Sequence, residues 1–123
     1  MMKTEIVEPV NLGIGETNHV WLKKFKDENI FSEMRDAYRF AAAYAISKDL
    51  PLVEINERKE TVFSLASVDP DRSLYHLITA LYPDLEIARY NILDRLANTG
   101  MTELVRMYKE DRLDLARLIR ESV

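Results

Sequence analysis

The side chains of this 123-residue chain that could do chemistry are few and scattered. His19 and His76 are its two imidazoles, far apart in sequence, and no His-x-x-x-His pair sets up a metal face on a helix. His19 falls on the lysine side of a helical segment and is expected in solvent; His76, between Tyr75 and Leu77, is expected at a helix surface or partly buried. Gly13-Ile14-Gly15 is a lone Gly-x-Gly without the third glycine of a dinucleotide loop, so it is expected to be a strand end. No Gly-x-Ser-x-Gly elbow is present. Asp69 and Asp71 flank Pro70, where short carboxylates serve turns and helix caps. Cysteine is absent, which excludes disulfides, thiolate nucleophiles and Cys-based zinc sites. The expectation is no catalytic residue, no metal and no cofactor, in a protein that works by contact.

Contact chemistry is better represented. Six tyrosines and Trp21 supply large rings. Trp21, Tyr38 and Tyr44 sit on apolar faces and are expected in the core. Tyr75, Tyr82, Tyr90 and Tyr108 fall near helix edges; the core is the favoured reading for most of them but not for all four. Those outside it form the expected protein-partner surface, since tyrosine gives wide contact at low entropic cost. Lys23, Lys24 and Lys26 make the densest basic cluster. The C-terminal basic residues Arg106, Lys109, Arg112, Arg117 and Arg120 are interleaved with Glu103, Glu110, Asp111, Asp114 and Glu121, the pattern of a solvated ion-pair face. With a formal net charge of -4 and an isoelectric point near 5.2, the chain lacks the overall charge that displaces counterions from nucleic acid.

These residues need a frame, and the punctuation of the chain predicts one. Hydrophobic content of 47% and charged content of 31% are those of a globular protein, and the length fits one domain over 1–123. No apolar run approaches the ~20 residues of a membrane span, and the N-terminus lacks the pattern of a signal peptide, so a cytoplasmic location is expected. Residues 1–9 are expected to be loosely ordered. Residues 10–48 form a strand-helix-helix unit: a strand from Val10 to Ile14, a helix from Thr17 to Lys26, and a helix capped by Ser32 that stops before Pro51. From Phe40 to Ile46 that last helix has no polar face, so it must be enclosed by other elements or by a second chain. Leu52–Ile55 and Thr61–Leu65 suggest a small hairpin, with a short helical turn as the alternative for the second run. Residues 71–123 hold the C-terminal helices. One ends at Pro83; the next is capped by Asp84 and closed at Gly100 by a left-handed glycine. Two short final helices are capped by Thr102 and Asp111. The predicted class is mainly α: five to six helices with a short N-terminal strand.

Two resemblances follow from these segments. The order strand, helix, capped helix over residues 10–48 is similar to a ribbon-helix-helix unit, an intertwined dimer whose strands enter the DNA major groove. That likeness implies a DNA-binding regulator in which Asn11, Lys23, Lys24, Lys26 and Ser32 contact DNA. Gly13 cannot read a base, and Glu8 and Glu16 beside the strand repel phosphate. Separately, Phe31 with Asp36-Ala37-Tyr38-Arg39-Phe40-Ala41-Ala42-Ala43, then Leu50-Pro51-Leu52 and Ala97-Asn98-Thr99-Gly100-Met101, resembles small accessory proteins encoded with bacterial DNA-phosphorothioation (Dnd) systems. Thr99 stands where that family tends to have a glycine. The second resemblance implies a bacterial or phage protein of DNA modification or restriction. Together with the buried central helix it leads to the expected function: a non-enzymatic accessory protein, dimeric, acting through protein contacts.

Overall fold

Small residues set the central packing. Ala37, Ala41 and Ala45 recur every fourth position, and with Ala42 all four are fully buried. They belong to α2 (Met34–Ser47), which lies against α5 (Arg89–Lys109), the longest element. Facing them on α5 are Leu93, Leu96, Ala97, Gly100, Met101 and Leu104, the 3.6-residue period of a buried face. The computed structural model describes residues 6–121. Among them the chain order is β1 (Asn11–Gly15), α1 (Glu16–Asp27), α2, β2 (Lys59–Ser64), α3 (Leu65–Val68), α4 (Ser73–Leu81), α5 and α6 (Leu115–Glu121). The mainly α class is as expected from the sequence.

Gly100 does not close a helix. It lies inside α5, and a Cβ there would sit 1.9 Å from the Ala41 carbonyl oxygen. Its role is to let two helix backbones meet. Left-handed helix ends are supplied by acidic or amide residues instead. Asn29, Asp49 and Asp111 have φ of 59°, 50° and 56°. The next N–H in each case reaches back into the helix: Ile30 to Phe25 O at 2.9 Å, Leu50 to Ala45 O at 2.9 Å, Arg112 to Met107 O at 2.8 Å. Short polar side chains tolerate this backbone better than other non-glycine residues.

The helix starts also differ from expectation, because their caps come from afar. Glu8 accepts the Arg89 and Tyr90 N–H groups at 2.8 and 2.9 Å, so the start of α5 is capped from the N-terminal segment rather than by Asp84. Glu57 accepts the Thr17 N–H at 2.9 Å at the start of α1. Glu33, not Ser32, stands at the N-cap of α2, and no side chain bonds there. Thr102 lies within α5, and Asp114 rather than Asp111 serves the start of α6 by accepting the Arg117 N–H at 3.1 Å. The expected loose order of 1–9 falls partly outside the described residues, and Glu8 is fixed by its two bonds.

β1 pairs antiparallel with β2, a partner from the middle of the chain, with an irregularity between Leu12 and Gly13. No hairpin forms between the two runs: Leu52–Ile55 is irregular, whereas Thr61–Ser64 is strand within β2, not a helical turn, and pairs with β1 instead; helix α3 begins only at Leu65. The apolar half of α2 is covered within one chain. Ala41, Ala42 and Ala45 are buried, Phe40, Tyr44 and Ile46 are half-buried, and only Ala43 is open. The packing of α2 therefore does not require a second copy.

Candidate functional site

A line of polar residues interrupts the apolar face of α5. Asp94, Asn98 and Thr102 follow one another at four-residue spacing, which places them on one helical stripe. Asp94 is 1% exposed. Its carboxylate accepts the Gly13 N–H at 2.9 Å, the Tyr38 hydroxyl at 2.6 Å and the Lys59 ammonium at 2.9 Å. Burial raises its pKa against these stabilising donors. Burial, and then the charge of Asp94, also hold the Tyr38 hydroxyl well above its ordinary range. The carboxylate ties β1, α2 and β2 to α5, beside a depression of about 250 Å³ that it lines with Lys59 and Arg95.

One turn later, Asn98 Oδ1 accepts the Gly15 N–H at 3.0 Å and the Asn18 side-chain amide at 3.0 Å. The Asn18 nitrogen also reaches the Asn98 carbonyl and Thr102 Oγ1, at 3.0 and 3.1 Å. A backbone N–H is an unambiguous donor, so the Asn98 amide is oriented by chemistry: oxygen toward β1, nitrogen away. The Asn18 amide is oriented by a carbonyl, with its nitrogen inward. These residues floor a groove of about 500 Å³, with Trp21 and Val105 on its wall and Lys109 at its rim. A second depression of about 460 Å³ continues it past Asn56 and Asn98 to Leu50, Pro51 and Val53. The irregular 50–57 segment thus makes one bank and α5 the other.

The other candidates are absorbed by the fold. Asp69, 3% exposed, accepts the Leu74 and Tyr75 N–H groups at 2.9 and 3.0 Å and the Tyr90 hydroxyl at 2.8 Å. Asp71 accepts the Ser73 N–H at 3.1 Å, so both acids are turn and cap residues as expected. His19 is not simply solvated: its Nδ1 lies 2.8 Å from Glu60 Oε1, and that bond lowers the Glu60 pKa. Glu16 stands at Glu-x-x-His spacing before it, yet the histidine's partner is Glu60. Among the described residues no group of three or more His, Cys, Asp or Glu could hold a metal ion. His76 is exposed, with its ring against Tyr75.

The four edge tyrosines do not make one surface. Tyr90 is buried, 3% exposed, and its hydroxyl is pushed up to about 12 by burial and then by Asp69. Tyr75 packs on it with ring centres 5.5 Å apart. Tyr108 belongs elsewhere, stacked edgewise on Trp21 and Phe25 and hydrogen-bonded to Glu28. Tyr82 is half-buried. What is open instead is α4. This nine-residue helix carries no acidic or basic side chain apart from His76, buries only Ile78, and leaves Leu77 and Leu81 44% and 46% exposed.

The residues expected to touch DNA are spread apart. Asn11 is exposed at the start of β1, but the rest of that strand is buried. One side of β1 is paired with β2, and its Gly13 and Gly15 amides are taken by α5, so it offers no strand to a partner or a groove. Lys24 lies 4.0 Å from Glu28 and Lys26 3.6 Å from Glu33, so the cluster is neutralised locally. Lys23 and Ser32 are exposed. The C-terminal ion-pair face is present, with Arg106 bridging Glu103 and Glu110 at 2.9 and 3.1 Å.

No helix among the described residues is long and apolar enough to cross a membrane. Comparison with protein-family models, curated proteins and solved structures finds no match for this chain.

Proposed function

We propose that this chain is a non-catalytic interaction protein that self-associates through α4. The observation that carries the reading is the open, uncharged face of that helix, in a protein whose carboxylates at Asp69, Asp94, Glu8 and Glu57 are committed to internal bonds. Asp69, Asp94, Glu8 and Glu57 cap helices or clip elements together. A two-fold copy would set Leu77 and Leu81 against their equivalents with no like charges opposed, the geometry of an isologous contact. The biological setting, DNA modification or restriction in a bacterium or phage, rests on the resemblance of the Asp36–Ala43 and Ala97–Met101 segments to the phosphorothioation-associated proteins.

Light scattering at micromolar concentration tests the first part. A dimer that the exposed-face substitution Leu77→Glu turns into a folded monomer supports it; a strict monomer overturns it. For the setting, the encoding host is compared with a deletion strain, and sulfur-linked dinucleotides from digested DNA are measured by mass spectrometry. Unchanged sulfur content and unchanged restriction of unmodified DNA would remove that assignment.

A further inference from the structure

The groove between the 50–57 segment and α5 carries more chemistry than a packing gap needs. Asn18 is 6% exposed, and its nitrogen makes three contacts while its Oδ1 accepts nothing from the described residues. No enclosed side-chain nitrogen or oxygen among the described residues lacks a partner. The Oδ1 must therefore reach an opening, and the opening Asn18 lines is the groove. The same reasoning applies to Asn98 Nδ2, which is turned away from Gly15 and lines both halves of the groove. The floor thus presents one fixed acceptor and one fixed donor, already desolvated on their inner sides.

We propose that this groove binds an extended peptide segment, with its C-terminal carboxylate at Lys109. An adjacent donor and acceptor match the C=O and N–H of a peptide backbone. Apolar walls at both ends, Trp21 and Val105 at one and Leu50, Pro51 and Val53 at the other, suit side chains on either side of that backbone. Charge sets the direction. Lys109 makes no ion pair with the described residues and rests over the Trp21 ring at 5.3 Å, in a half also lined by Arg106 and by Glu57, whose carboxylate is taken up by Thr17. The opposite half carries Glu54 and Glu103, paired with Arg95 and Arg106, and has no free cation among the described residues. A stacked nucleobase fits less well, because Lys24 and Lys109 both lie within about 5 Å of the indole centre and cover it. This site shares no residue with the α4 face, so its failure and the failure of the self-association reading are read separately.

The test uses nitrogen-15 NMR of the full chain with two probes, acetyl-trialanine with a free carboxylate and the same peptide amidated, and with uridine monophosphate as a third. The expected result is millimolar binding of the free-acid peptide, with shifts at the Asn98 and Asn56 side-chain amides and the Trp21 indole. Lys109→Glu, at an exposed position, should weaken the free acid by about tenfold while leaving the amidated peptide unchanged. Asn98→Asp keeps the acceptor for Gly15 and Asn18 but removes the outward donor, so both peptides should weaken about tenfold in a protein that still folds. Absence of groove shifts with the free acid, equal weakening of both peptides by Lys109→Glu, or tighter binding of the nucleotide would each overturn the assignment.

Discussion

Replacing Gly100 by alanine sets two well-understood effects against each other. In an open helix the change should stabilise by about 1 kcal/mol, from helix propensity and a less flexible unfolded chain. Here the new Cβ would meet Ala41 O at 1.9 Å, Ala41 C at 2.6 Å and Ala41 Cα at 3.0 Å. All three are backbone atoms, so no rotamer change relieves the contact. Restoring an ordinary 3.4 Å separation from 1.9 Å requires α2 and α5 to part by roughly 1.5 Å. That opens the contact lined by Ala37, Ala41, Ala45, Ala97 and Met101, all buried. Overpacking of this kind costs up to about 3 kcal/mol, so the net loss should be about 2 kcal/mol. For a domain of this size that corresponds to a fall in Tm of about 8 °C. Urea denaturation at fixed pH, followed by circular dichroism, gives the same quantity with an unchanged m-value if the fold is kept. A Gly100→Ala protein as stable as the parent, or more stable, would refute the close approach of the two helices.

Three further outcomes follow from groups held by internal hydrogen bonds. Asp94 has a folded-state pKa above its unfolded value, so its contribution to stability is complete below about pH 4 and is lost as pH rises through the folded value. Stability of the wild type relative to Asp94→Asn should therefore decline as pH rises from about 4, and parallel pH profiles would contradict the burial of that carboxylate. Tyr90 is held up to about 12, so it should stay protonated past the ordinary tyrosine range, its stabilisation being lost as pH rises through that value. In alkaline absorbance titration, Tyr90→Phe should remove one late-ionising phenol and leave the early ones untouched. Glu8→Ala should cost about 1 kcal/mol by uncapping α5, with hydrogen exchange faster at Arg89 and Tyr90 than at mid-helix amides; equal exchange would remove the cap.

Much of this architecture is written locally. The alanine repeat of α2, the apolar period of α5 and the prolines at 51 and 83 mark helices, because helix formation and breaking act over a few neighbouring residues. The acidic and basic alternation near the C-terminus likewise marks an ion-pair face, since partners three or four apart on a helix are adjacent. The absence of nucleophile and phosphate-loop motifs is equally visible in the sequence. One further signal was there to be found: Asp94, Asn98 and Thr102 form a polar stripe at helical spacing beside an apolar face, and that stripe holds β1 and floors the groove.

Tertiary structure decided the rest, because the deciding partners lie far apart in the chain. Whether Gly100 ends a helix or admits another backbone depends on Ala41, and whether Ser32 or Glu33 begins α2 depends on how the chain leaves Phe25. The strand Asn11–Gly15 reads as a free ribbon until β2 takes one side and α5 accepts the Gly13 and Gly15 amides. The apolar run Phe40–Ile46 asks for cover without naming it, and α5 with its neighbours supplies that cover within one chain. The groove exists only because residues 50–57 come to rest beside α5 and α1. Local propensity fixes the elements; which polar atoms remain open to a partner is settled by packing between them.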